Sequence, residues 1–172
     1  MQFLAFFALA LALISCAADN ISNHPDAGSC GNACCRLGLY IRDETTEQVM
    51  VKLNSTISKG GPDSRYIPQM TAEGTMTFGD LRPYAKGVDF IGQAWHTTIN
   101  LLYNDTINFL LKPQEGGKST AVYAVSISQI AGAYGDDGQN WFNIDQLFSS
   151  IEWDNGYKLW NMDGSCPLAV EK

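Results

Sequence analysis

The residues from Ser119 to Trp153 constrain the fold most, because the hydrophobic period changes within this stretch. Over 119–129 (STAVYAVSISQ) the side chains alternate between two sets, which is typical of a half-buried β-strand. Asp136 followed by Gln139 has the spacing of a helix start. Apolar residues then recur at helical spacing and predict an amphipathic helix of about four turns, with its stripe at Trp141, Ile144, Leu147, Phe148 and Ile151.

A shorter helix is predicted upstream, after a first strand. Residues 36–42 alternate between apolar and other side chains, as a strand does. Thr45 and Gln48 have capping-box spacing, and Gly60-Gly61 suits a helix C-cap, so a helix is predicted over 46–58. The next strands are predicted over 75–81, 88–100 and 107–112, with a turn at 103–106, a strand end at Pro113 and an irregular tail after Trp153.

The N-terminus predicts a targeting segment. Residues 3–14 are almost all apolar, and small residues follow, so a signal peptide is predicted over 1–18. The run is shorter than the roughly 20 residues that span a bilayer, so no transmembrane segment is predicted. The alternative is a lipoprotein box ending at Cys16, but the basic residues that precede such segments are absent. Residues 19–35 are predicted to be an entry loop with cysteines, and 36–172 a single domain.

Three glycosylation sequons agree with a eukaryotic secretory route. They lie at Asn20, Asn54 and Asn104. Asn54 and Asn104 fall inside the predicted domain and are predicted to carry glycans, the latter at an exposed hairpin tip. The sequence therefore predicts a secreted glycoprotein.

Four cysteines remain after the predicted signal peptide: Cys30, Cys34, Cys35 and Cys166. In an oxidising compartment they predict two disulfides. Because neighbouring residues reach disulfide geometry poorly, Cys166 is expected to pair with Cys34 or Cys35, and Cys30 with the other. A zinc site built from Cys30, Cys34, Cys35 and His24 is the alternative, but it lacks the usual paired ligand spacing. No metal or cofactor is therefore predicted.

The charge distribution disfavours two classes of partner. The net charge is −7, and the 11 basic residues are scattered along the chain. A nucleic-acid binder needs a basic footprint, and so does a protein that binds anionic membranes through charge. No nucleic-acid partner is predicted.

The order of elements over Arg36–Trp153 resembles the START and Bet v 1-like helix-grip superfamily. The resemblance implies an α+β fold: a curved antiparallel sheet packed on a long C-terminal helix, with a short early helix after the first strand. It also implies a cavity between sheet and helix for an apolar or amphipathic small molecule. Six residues are candidates to line it, with Gln93 or Tyr123 as polar anchors: Gln93, Trp95, Phe109, Tyr123, Val125 and Trp141. The alternative is that these side chains fill the core.

A second likeness lies between the predicted strand and the terminal helix. It is similar to the S-x-S…G…D-x-G-x-N ending of a domain family with no assigned function, and it involves Ser126, Ser128, Gly132, Asp136 or Asp137, Gly138 and Asn140. The arginines associated with that ending are absent, since Gln129 and Trp141 stand near their places. This likeness implies no catalytic residue.

A catalytic pair of one histidine and one serine is a further possible interpretation of the sequence. His96 is the one histidine of the predicted domain, and Ser126 or Ser128 would be its nucleophile. No nucleophile-elbow motif surrounds either serine, so a structural histidine is favoured and no catalytic residue is predicted.

Two further clusters have a structural and a functional interpretation. Four polar residues near the terminal helix lack EF-hand spacing, and helix capping explains the first two better than calcium does: Asp136, Asp137, Asn140 and Asp145. Trp153, Tyr157 and Trp160 would stack on sugars if exposed, but the favoured interpretation is that they cover an edge of the core.

The sequence therefore predicts a secreted, non-catalytic protein that binds a small hydrophobic or amphipathic molecule. The first alternative is an extracellular interaction or structural protein with a filled core. The second is an enzyme that uses the cavity, with His96 as its base.

Overall fold

The computed structural model describes Cys30, 32–70, 77–130, 132–133, 135–162 and Cys166. The predicted signal peptide, the alternative lipid site at Cys16, the Asn20 sequon and His24 lie outside the described residues.

Seven antiparallel strands form one sheet, as the predicted α+β class requires. Their bounds are β1 (Cys34–Ile41), β2 (Tyr66–Pro68), β3 (Phe78–Asp80), β4 (Phe90–Thr97), β5 (Asn104–Gln114), β6 (Ser119–Ser128) and β7 (Tyr157–Asn161). The strand order is β2-β4-β5-β6-β1-β7, and β3 pairs with β4 beside β2. Two short strands therefore share one edge of the sheet, and β7 forms the other.

Two helices, α1 (Thr46–Ser58) and α2 (Gln139–Ser149), cover one face of the sheet, called the inner face below. Apolar side chains of both helices pack there against alternate residues of the strands. The largest side chains buried in this layer include Leu37, Leu53, Phe109, Leu111, Leu147 and Phe148. Burial of this apolar layer is the main favourable contribution to the stability of the fold.

Helix α1 has the predicted bounds because both of its ends are specified locally. The Thr45 hydroxyl accepts from the Gln48 N–H, and the Gln48 side chain accepts from the Thr45 N–H, completing the capping box. At the other end Gly60 has φ 91°, and Gly61 N–H donates to Thr56 O. This is a Schellman ending, which favours glycine in the left-handed region.

Helix α2 is shorter than predicted. It has 11 residues and begins after Gly138, so the expectation of a long C-terminal helix is wrong. The N-cap is Gly138, without a side-chain cap, so the helix start predicted at Asp136 is wrong, although Asp136 still accepts from the Asn140 N–H (2.7 Å). Ile151 of the predicted stripe lies beyond the helix and packs against the core from the following loop.

The chain after α2 is more regular than predicted. Strand β7 pairs with β1, so α2 is not the last element. The predicted strand end at Pro113 is also wrong, because β5 continues to Gln114. Proline lacks a donor, but β4 begins at Phe90, opposite Leu111, so within the described residues no β4 residue pairs with Pro113.

The connection between β4 and β5 differs from the predicted turn at 103–106. Asn104 is already the first residue of β5 and pairs with Thr97, so the connection is 98–103. The predicted strand over 75–81 is reduced to β3, and residues 75 and 76 lie outside the described part.

The disulfides are Cys30–Cys34 and Cys35–Cys166. This confirms the expectation that Cys166 pairs with one of the two adjacent cysteines. Cys35 and Cys166 belong to the buried layer between sheet and helices, so the second bond ties the C-terminal region to the core.

Candidate functional site

The predicted cavity residues lie on both faces of the sheet. Phe109 lies in the inner layer, with no exposed surface, and Trp141 of α2 packs against that layer. The strand alternation places Gln93 and Trp95 on the opposite, outer face. Tyr123 and Val125 are also on that face, where they pack with Leu110 and with the segment that follows β3. The six residues are therefore not brought together in one place.

One of them, Gln93, lines a pocket on the outer face. The pocket has a volume of about 270 Å³, close to the lower end of the roughly 300–1,000 Å³ typical of small-molecule sites. We call it the outer pocket. It is lined by residues of β3, β4 and β5 and by residues that adjoin β2 and β3: Gln69, Met70, Thr77, Gly79, Ile91, Gly92, Gln93 and Asn108. None of the lining residues carries a charge.

The outer pocket combines apolar and hydrogen-bonding groups. Met70 and Ile91 are 53% and 36% exposed and supply apolar surface. Gln93 Nε2 donates to Asn108 Oδ1 (2.7 Å), which leaves the carbonyl of one amide and the amino group of the other available to a ligand. Thr77 is 3% exposed, and its hydroxyl has no hydrogen-bond partner among the described residues.

His96 lies on the inner face, in a cluster that joins β4, α2 and the segment before β2. Asp63 Oδ2 accepts from His96 Nε2 (3.0 Å) and from Arg65 Nε (2.9 Å), and Gln146 Nε2 lies 3.4 Å from the same oxygen. The ring of Tyr66 lies 4.5 Å from the imidazole, and its hydroxyl donates to Asn143 O (2.6 Å). The cluster therefore holds α2 against one edge of the sheet.

The environment of His96 keeps its ring neutral. Burial lowers the pKa of His96, against the hydrogen bond and charge of Asp63, which favour protonation. Burial alone would raise the pKa of Asp63, but the hydrogen bond from His96 and the hydrogen bond and charge of Arg65 bring it below its usual value. Because His96 is 1% exposed, a substrate would reach it only after α2 or the segment before β2 had moved.

Ser126 and Ser128 belong to a second buried network, which adjoins the His96 cluster at Asn143 and Asp105. Ser126 Oγ donates to Asn140 Oδ1 (2.6 Å), and Asn140 Nδ2 donates to Ser128 Oγ (3.1 Å). Asn143 Nδ2 donates to Asp105 Oδ2 (2.8 Å) and lies 3.1 Å from Ser126 Oγ. Both serines are thus committed to the contact between β6 and α2.

This network explains the S-x-S and D-x-G-x-N pattern in physical terms. Alternation places Ser126 and Ser128 on the inner face, where the first turn of α2 presents Asn140. Asn143 belongs to the same network, but the sequence reasoning missed it. Its position three residues after Asn140, on the face that also carries Ile144, is the signal that would have revealed it.

The acidic residues near α2 do not converge. Asp136 accepts from two backbone N–H groups, whereas Asp145 lies on the helix, where burial raises its pKa. Within the described ranges no three His, Cys, Asp or Glu side chains lie close enough to hold a metal ion.

Neither α1 nor α2, the helices of the described residues, has the length and apolar character of a membrane span.

The aromatic tail divides between the two faces of the sheet. Trp153 stacks on Phe148 and donates from Nε1 to Phe148 O (2.8 Å), and Tyr157 packs beside them, so both cover the core. Trp160 lies on the outer face, over Gly38 and edge-on to Tyr123. A side chain at position 38 would collide with the indole, so Trp160 requires a glycine there.

The two sequons of the described region are placed differently. Asn54 lies in α1, is half-buried and accepts from the Thr77 N–H (3.1 Å). Asn104 is half-buried at the start of β5, beside the hairpin tip but not in it. Glycosylation at both sites stays a prediction.

Comparisons of the chain with protein-family models, with curated proteins and with solved structures found no match in any of the three. Its function is therefore inferred from the geometry of the described residues.

Proposed function

We propose that the protein is a secreted, non-catalytic binding protein for a small, uncharged amphipathic molecule. The observation that carries the proposal is the outer pocket, because it places apolar surface beside amide groups and contains no charged side chain. A charged ligand would lose hydration there without gaining a counter-charge. The two disulfides agree with an oxidising compartment. Kinship with the helix-grip superfamily stays a prediction.

The interior supports the non-catalytic part of the proposal. Phe109, Ile144 and Phe148 are fully buried between sheet and helices, where the resemblance placed a ligand cavity. The same filled layer favours a second candidate, an extracellular interaction protein without a small-molecule ligand. An enzyme based on His96 gains no support from the buried ring.

Native mass spectrometry of the protein secreted from a eukaryotic host tests the proposal. The expected result is an adduct that organic extraction releases as an uncharged amphipathic compound. Protein that carries no adduct after secretion from several hosts would favour the interaction protein instead.

A matched pair of glutamines locates the site. Gln93 and Gln129 are both exposed, and each donates to one side chain of β5. Gln93→Ala should lower occupancy about 2- to 10-fold, the effect of one lost hydrogen bond, whereas Gln129→Ala should not change it. Equal occupancy in both variants would move the ligand away from the outer pocket.

A further inference from the structure

The connection between β4 and β5, residues 98–103, exposes an apolar cluster that the outer pocket does not use. Ile99, Leu101, Leu102 and Tyr103 are 88%, 71%, 69% and 49% exposed. Scattered exposed apolar residues are common in proteins, but four within five consecutive positions form a patch. We call residues 98–103 the apolar tip.

The apolar tip is an ordered turn. Thr98 N–H donates to Tyr103 O (2.9 Å), and Leu101 N–H donates to Thr98 O (2.8 Å). Asn100 Oδ1 accepts from Leu102 N–H (3.2 Å), and Thr98 Oγ1 accepts from Tyr103 N–H (3.2 Å). These backbone donors are satisfied within the loop, which reduces the cost of moving it into a medium without water.

The backbone of the apolar tip is strained at Leu101, whose side chain is also exposed. Leu101 has φ 57°, in the left-handed region that glycine or asparagine normally occupies. The leucine therefore costs backbone energy and keeps 71% of its surface in water. Packing within the described part of the molecule does not offset that cost, whereas burial against a partner outside the chain would.

We propose that the apolar tip inserts shallowly into the interface of an electrically neutral lipid bilayer. No charged residue occurs from Thr97 to Asn104, so no charge has to be buried on insertion. Tyr103 suits the boundary between headgroups and acyl chains, where amphipathic aromatic rings are enriched. The net charge of −7 disfavours a bilayer rich in anionic lipid.

A second copy of the chain fits the apolar tip less well. A stable protein interface buries about 1,200–2,000 Å² in total. Four side chains at the end of one hairpin offer a few hundred Å², so two tips together fall short of that area. A fluid bilayer accepts such a convex surface without a complementary shape.

The predicted glycan at Asn104 is compatible with shallow insertion. Asn104 pairs with Thr97 at the base of the apolar tip, and alternation along β5 places its side chain on the outer face. A glycan would leave roughly perpendicular to the sheet and not along the hairpin. Removal of the glycan is accordingly expected to strengthen binding or leave it unchanged.

Co-sedimentation with vesicles of pure phosphatidylcholine tests the proposal, on the full secreted protein with and without glycosidase treatment. Wild type is expected to sediment with these vesicles, and less with vesicles of equimolar phosphatidylcholine and phosphatidylserine. Leu101→Gly should weaken partitioning about tenfold, since it removes one leucine side chain from the lipid. Because glycine relieves the positive φ, this variant should fold at least as stably as wild type.

Val51 supplies the control, because it is 55% exposed on α1, outside the apolar tip. Val51→Ser should bind vesicles like wild type. The proposal is overturned if wild type stays in the supernatant, or if Leu101→Gly and Val51→Ser bind equally. It is also overturned if the wild type forms a concentration-dependent dimer that Leu101→Gly abolishes, since a second copy would then cover the tip.

Discussion

Two buried threonines differ in whether their hydroxyls have a partner. Thr77 Oγ1 has no partner in the described part of the chain, whereas Thr120 Oγ1 donates to Glu44 O (2.8 Å). A buried polar group without a partner destabilises the folded state, and a bonded one contributes net stability. Thr77→Val should therefore raise the free energy of unfolding by about 1 kcal/mol, and Thr120→Val should lower it by about 1–2 kcal/mol. Urea denaturation measures both, and a loss at position 77 as large as that at 120 would contradict the assignment.

The neutral ring of His96 gives the protein a specific dependence on pH. Its folded pKa is lower than the usual value near 6.5, so below about pH 6.5 the unfolded chain binds a proton that the folded chain resists. The stability term is complete above that pH and is lost as the pH falls toward the folded pKa. The free energy of unfolding should therefore decrease from about pH 7 to about pH 5.

The groups that face His96 are Asp63, Arg65, Tyr66 and Asp105, the last of which is the cross-strand neighbour of His96 on β5. The pKa of Asp63 is lowered and that of Tyr66 is raised, so neither of these two groups changes its charge in this range. His96→Gln should flatten the pH dependence, whatever its effect on absolute stability. A variant with the same slope as wild type would show that another group titrates.

Helix α2 contains two phenylalanines with contrasting roles. Phe148 is fully buried and contacts the rings of Phe109 and Trp153, whereas Phe142 is 49% exposed. Phe148→Ala should cost about 3–5 kcal/mol, the usual loss for a buried phenylalanine. Phe142→Ala should cost less than about 1 kcal/mol. Similar melting temperatures for the two variants would mean that the buried face of α2 is misassigned.

Local sequence signals were sufficient to predict the bounds of helix α1 but not those of helix α2. The capping box at Thr45 and the ending at Gly60 lie within the helix sequence itself, so the bounds of α1 were predictable. The ends of α2 depend on tertiary contacts: Asn140 bonds to β6, and Trp153 folds back onto Phe148. A pattern in one segment carries no information about such partners.

The candidate site was predictable only in part, for a related reason. Gln93 was expected to face a ligand and does line the outer pocket, but the expectation placed that ligand under the helices. Alternation within β4 separates Gln93 from Ala94 and His96, yet it does not reveal which face the helices cover. β2 and β3 flank the pocket with three residues each, too few for a reliable periodic signal.

For the whole molecule, the Cys35–Cys166 bond is the longest covalent constraint of the described residues. It spans a sequence separation of 131, against 4 for Cys30–Cys34. Chain entropy gives about 5 kcal/mol for the longer loop and about 2 kcal/mol for the shorter. Paired serine substitutions avoid odd thiols, so Cys35→Ser with Cys166→Ser should lower the melting temperature more than Cys30→Ser with Cys34→Ser. Calorimetry that ranks the two variants in the opposite order would contradict this.

The location of the ligand is tested most directly by amide chemical shifts during titration with octyl glucoside, an uncharged amphiphile, kept below its micelle concentration. We expect saturable shifts at four residues that line the outer pocket, Gly79, Gly92, Gln93 and Asn108, and small shifts at Ile144 and Leu147 in the core layer. Gln93→Ala should weaken the titration, and Gln129→Ala should not. Shifts centred beneath α2, confined to the apolar tip, or absent at the outer pocket would contradict it.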